Sequence, residues 1–133
     1  MVCRLQRGHG TRVPAANLLL GLNRAALAET LVFAEGLGLD LPAFLDLVRV
    51  TPAYSRAVDV KGAMMIEGTF APPQSRVQQH RKDLRRIIAA AASSGRTLPF
   101  ATTHAVVLDA AIAAGAGDLD NASIIDTLRQ WHD

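Results

Sequence analysis

From Val13 to Glu35 the chain is mostly Ala, Leu and Val, broken by isolated polar residues or short pairs of them and showing no two-residue alternation. That pattern excludes a half-buried strand and predicts one long helix, with Thr11 as its N-cap and Pro14 in the first turn, where a missing N–H is tolerated. At about 1.5 Å per residue such a helix is roughly 35 Å long, the span of a whole small domain. Apolar on several sides, it belongs in a central spine or at a subunit interface. Its longest uncharged stretch, Val13 to Asn23, is too short to cross a bilayer, so no membrane association is expected.

Helix punctuation continues to the C-terminus. Gly36 and Gly38 end the first helix, Asp40 caps a second over Leu41 to Val50, and Pro52 blocks its continuation. A third helix covers Ser55 to Glu67 and stops at Gly68, and Thr69 to Gln74 is a proline-bearing loop. Ser75 caps a fourth helix reaching about Ser94, with an apolar stripe of Val77, Leu84, Ile87, Ile88 and Ala91. Pro99 to Ala114 forms the fifth, and Asp120 caps a sixth through Gln130. Residues 1–10 read as an irregular lead-in and residues 11–133 as one helical domain. The expected fold class is all-α, six helices with one long central helix and no Rossmann domain in this chain.

Half of the 133 residues are apolar and a fifth are charged, enough to bury a core without metal or disulfide. Cys3 is the single cysteine, so no internal disulfide can form, and with no secretory pattern at the start a cytoplasmic location is expected. The cluster Arg76, Arg81, Lys82, Arg85 and Arg86 reads as a solvated helix face, and no nucleic-acid partner is expected. His9, His80, His104 and His132 are dispersed without ligand spacing, so no metal site is expected. No nucleophile elbow is present, and hydrolase chemistry has no support.

A few residues stand out as candidates for chemistry. Gly8-His9-Gly10 resembles a dinucleotide turn but lacks the preceding strand and the third glycine, and reads as a flexible turn. Asn17 places an amide among alanines and leucines, either as a helix-to-helix hydrogen bond or as a substrate-positioning group at a cleft mouth. Gly21 costs about 1 kcal/mol relative to alanine inside a helix, which points to close approach by something else. Glu29 reads as a buried partner to a cation or a polar handle at an interface. Lys82 and Asp83 lie off the apolar stripe of their helix, and Lys82 should face solvent or a cleft.

In order and spacing these marks resemble the C-terminal helical domain of the β-hydroxyacid dehydrogenases, the 3-hydroxyisobutyrate dehydrogenase and glyoxylate/succinic semialdehyde reductase group, a fold similar to the 6-phosphogluconate dehydrogenase C-terminal domain. The resemblance runs from Gly8 onward through Asn17, Gly21, Glu29, the Gly36–Asp40 break, Ser55, Lys82-Asp83-Leu84, Leu98-Pro99 and Gly117–Ser123. It implies an NAD(P)-dependent oxidoreductase acting on a small 3-hydroxy acid or aldehyde acid, in which a Rossmann domain binds NAD or NADP and the helical domain supplies the other cleft wall and a homodimer interface. It further implies that Asn17 and Gly21 meet substrate and that Lys82 and Asp83 lie near the cofactor.

One departure bears on the chemistry. Four residues before Asn17, where the resemblance places a catalytic lysine, the chain carries Val13, which can neither donate nor accept a proton. Arg12 beside it stays protonated and points about 100° away around the helix. The chain is therefore expected to be inactive alone, as a fragment or stand-alone half requiring a separate Rossmann-domain partner in trans. The alternative is a non-catalytic helical dimerisation module derived from the same family.

Overall fold

The computed structural model describes the backbone of residues 2–132 and the side chains of residues 12–132. Six α-helices follow in order: α1 (Val2–Gly36), α2 (Leu41–Arg49), α3 (Arg56–Glu67), α4 (Val77–Ser93), α5 (Pro99–Ala113) and α6 (Ile124–Arg129), with a 3-10 turn at Asn121–Ser123 before α6. The class is all-α, and among the described residues β-pairing is limited to one isolated bridge between Arg76 and Asp120.

The first helix departs from expectation at its start. It begins at Val2, so the segment expected to be an irregular lead-in is helical and Thr11 is interior rather than a cap. Pro14 likewise sits inside the helix. Glycines cost a helix stability without forbidding it, and elongation adds a hydrogen bond for each residue fixed, so an established helix can run through Gly8 and Gly10.

The C-terminal half of α1 is the spine. Leu27, Ala28, Leu31 and Ala34 are buried against α3, α5 and α6, and Leu31, Met65, Leu84, Leu108, Ile124 and Ile125 form the fully buried centre. On α4 the expected stripe is present, Val77, Leu84 and Ile87 being buried with Ile88 and Ala91 half-buried beside them. Gly68 ends α3 with a φ of 71°, a left-handed conformation that glycine adopts without a Cβ penalty.

Side-chain caps are fewer than the sequence promised. Asp40 precedes α2 and Ser75 lies one residue before the Arg76 N-cap of α4, but neither Asp40 nor Arg76 makes a side-chain cap bond. Instead the α5–α6 connection serves α4, whose first N–H groups, of Val77 and Gln78, donate to the carbonyls of Leu119 and Gly117 at 3.0 Å each. Return bonds run from Asp120 N–H to Phe70 and from Asn121 N–H to Ser75. Asp120 does cap, accepting from Ala122 N–H at 2.8 Å, and it does more besides.

The Asp120 carboxylate is fully buried and takes the Lys61 ammonium of α3 on both oxygens at 2.9 Å, together with the N–H groups of Gln74 and Ser75. Burial opposes its charge, but the Ala122 N–H, the Lys61 ammonium and the Gln74 and Ser75 N–H groups outweigh it and hold the carboxyl below the usual range. Replacing Lys61 by methionine leaves that carboxylate buried and without its cation. Lys61→Met should cost about 3–5 kcal/mol, a fall of about 10 °C or more in a thermal melt followed by circular dichroism. A change under 3 °C would show that the pair is dispensable.

Candidate active site

Gly21 and His80 set how α1 and α4 meet. A Cβ built on Gly21 would lie 2.5 Å from His80 Cε1, closer than atoms can approach, so the imidazole occupies the space that the missing side chain leaves. The close approach expected at Gly21 is made by this ring. Gly21 is buried and faces the helix junction.

One turn earlier on α1, Asn17 is exposed and lines a groove of about 610 Å³ between α1 and α4. Asp83 and Arg86 of α4 and Ser94 supply its other polar groups, and Pro14, Leu18, Ile87 and Leu98 are among its apolar lining. Asp83 accepts from Gln79 Nε2 at 3.3 Å and stands 3.9 Å from Arg86 Nη1, a loose pair on one helix. Asn17 and Asp83 are thus brought together. Lys82, exposed as expected, lines a neighbouring depression with Pro72, Pro73, Arg76 and Gln79, so it flanks the Asn17 groove without entering it. Val13 is 61% exposed, one turn before Asn17. Glu29 is exposed rather than a buried partner to a cation, and lines a second, largely apolar groove between α1, α5 and α6.

Beneath Gly21 lies a polar cluster that the sequence reading passed over. His80 and His104 of α5 are buried with their Nε2 atoms 3.1 Å apart, one donating and the other accepting. Arg24, one turn after Gly21, is also buried. Burial, then the Arg24 charge, then His104 push His80 down to about 3, and burial with Arg24 pushes His104 down to about 4. The signal was present. His80 lies three residues after Val77 and four before Leu84, on the apolar stripe itself, and Lys61 lies likewise between Val58 and Met65 of α3. Among the described residues no three metal-ligating side chains come together.

Both imidazoles bind protons less tightly folded than unfolded, so the unfolded state takes up more protons as pH falls. Their stabilising contribution is complete above the unfolded value near 6.5 and declines below it, by up to about 1.4 kcal/mol per pH unit for each group. Urea unfolding between pH 6.5 and 5, above most of the carboxylate range, should show this decline, and the double variant His80→Phe/His104→Phe should flatten it. An unchanged slope in the variant would exclude the pair as its source. Gly21→Ala, which forces the buried ring aside, should cost about 1–3 kcal/mol in the same assay.

A family model described as the NAD-binding domain of NADP-dependent 3-hydroxyisobutyrate dehydrogenase matches residues 8–128. The chain is 30% identical over 122 residues to 2-hydroxy-3-oxopropionate reductase of Escherichia coli, covering 91% of this chain and 41% of that protein. A crystal structure of 3-hydroxyisobutyrate dehydrogenase from Salmonella typhimurium superposes with a TM-score of 0.83 at 28% identity, over 87% of this chain and 40% of that one. Similarity also extends to a cytokine-like nuclear factor N-PAC of Aedes aegypti, 29% identical over 107 residues, which are 80% of this chain and 19% of that protein. The chain spans about two fifths of the length of the reductase and of the dehydrogenase. No helix among the described residues is long and apolar enough to cross a membrane.

Proposed function

The chain belongs to the family of NAD-binding domains of NADP-dependent 3-hydroxyisobutyrate dehydrogenases, and from that premise we propose that it forms the helical, substrate-facing wall of a hydride-transfer cleft. A Rossmann domain carries the dinucleotide on the other side. The observation that carries this reading is the α1–α4 junction at Gly21 and His80, which sets the Asn17 amide and the Asp83 carboxylate on one groove with Lys82 at its flank.

The residues here fit one end of the cleft only. Gly8-His9-Gly10 lies within α1, where backbone N–H groups serve the helical ladder and cannot cradle a pyrophosphate. The groove's Asn17 amide and Arg86 guanidinium instead suit a small hydroxy acid or aldehyde acid, the substrate class consistent with the names of the relatives. NAD or NADP, when bound, supplies or accepts the hydride. Asn17 positions the substrate oxygen by hydrogen bonding, and Lys82 adds positive charge at the cofactor side. Val13 supplies no proton, so turnover is low even with a Rossmann domain provided in cis or in trans.

A second reading, a non-catalytic dimerisation module, is favoured by a different observation. On α1, Leu19 and Phe33 are 63% and 67% exposed and lie within about 40° of one another around the helix, apolar side chains suited to a second copy of the chain.

Calorimetry and turnover separate the two. The chain alone should bind no dinucleotide, and addition of a family Rossmann domain should give saturable binding with slow aldehyde-acid reduction. Val13→Lys in the mixture should raise that rate by about 10²- to 10⁴-fold. Asn17→Ala should abolish the rate while leaving the melting temperature within about 2 °C, because the side chain is exposed. No binding in any mixture, together with a dimer in analytical ultracentrifugation at tens of micromolar, would establish the dimerisation module instead.

A further inference from the structure

Two buried cations share one buried carboxylate in the core. Lys61 and Arg24 are 5% and 6% exposed and Asp120 is 0%. The carboxylate is already committed, since Lys61 takes both oxygens and the N–H groups of Gln74, Ser75 and Ala122 complete them. Arg24 is left with its buried Nε and Nη1 donors unpartnered.

Asp120 attracts Arg24 but is already bonded to Lys61 on both oxygens, and the groups facing Arg24 from α4 and α5 carry no negative charge. His80 of α4 and His104 of α5 are neutral near pH 7, pushed down to about 3 and about 4 first by burial. Glu29, further along α1, is exposed and forms no ion pair with Arg24 among the described residues. The junction therefore holds one positive charge in excess, and a guanidinium does not shed its proton to relieve it. If His80 Nε2–H donates across the 3.1 Å contact, His104 carries its own proton on Nδ1, a buried atom with no partner.

We propose that Arg24 binds a chloride-sized inorganic anion through its unpartnered Nε and Nη1 donors in the core between α1, α4 and α5. The chemistry selects for size and charge. One negative charge balances one excess guanidinium, an acceptor-only ion satisfies N–H donors without bringing donors of its own, and a divalent oxyanion would overshoot the charge at a larger dehydration cost.

Thermal melts of the full chain at fixed ionic strength test this directly. Replacing sodium gluconate by sodium chloride or bromide should raise the melting temperature by about 5 °C at saturation. Arg24→Met, which removes the cation and keeps similar apolar volume, should abolish the dependence. Bromide-soaked crystals of the unaltered protein should show an anomalous peak within hydrogen-bond distance of Arg24 Nε or Nη1, a result that decides the matter even if the variant fails to fold. The proposal falls if chloride and gluconate give equal melting temperatures, if Arg24→Met keeps the full dependence, or if no such peak appears. It falls equally if stability follows protein concentration and not the anion, which would assign the counter-charge to a second copy of the chain.

Discussion

Asp120 is a carboxylate held charged where water does not reach, and the arrangement of three segments depends on it. Its oxygens collect the Lys61 ammonium from α3, two N–H groups from the α3–α4 loop and one from the turn before α6. Around that centre the two loops exchange backbone bonds, so the start of α4 is fixed by the α5–α6 connection and not by a cap of its own. A buried ion pair of this kind adds little net stability over an apolar pair of equal shape, yet it penalises every arrangement that separates the partners. Its effect is positional: it sets where α4 starts, and thereby where His80 and Asp83 stand.

From that origin the α1–α4 junction follows. His80 lies one turn into α4 and meets α1 at the one described position of its middle turns that has no side chain, Gly21. A helix pair seated this closely fixes register as well as distance, because any sliding drives the ring into a Cβ on the neighbouring turn. Asn17 and Asp83 share a groove for that reason. Lys82, one residue from Asp83, is turned about 100° around α4 and so faces the next depression.

Much of this was legible in the sequence. The helices, their glycine stops and the α4 stripe follow from periodicity and punctuation, which are local properties. Gly21 announced a close approach because its helical cost needs a reason, although the sequence did not say that the approaching group was His80. What was not legible is pairwise and non-local. Lys61 and Asp120 are 59 positions apart and His80 and His104 are 24 apart, so no window of sequence shows that each finds its partner. The placement of Lys61 and His80 on buried stripes was visible, and a polar residue on such a stripe demands a partner. Asp40 and Ser75 mark the opposite error. Cap-type residues at helix starts are common because their side chains compete for free N–H groups, but at α4 the carbonyls of Leu119 and Gly117 take the first N–H groups and the Asp120 carboxylate takes that of Ser75, while Asp40 stands at the start of α2 without a side-chain cap bond.

The residues that hold the fold and those that would perform chemistry barely overlap. Lys61, Asp120, His80 and Gly21 are buried and mutually dependent, whereas Val13, Asn17 and Lys82 are exposed and touch little of the core. Exchange of a lysine for a valine at an exposed helical position changes stability by a few tenths of a kcal/mol, an order that selection on folding alone does not register. It can nevertheless remove the proton donor on which acid–base catalysis depends. A wall built in this way retains its shape whether or not the reaction is kept. On the function proposed above, residue 13 bears on the rate of the reaction and not on the packing of the wall.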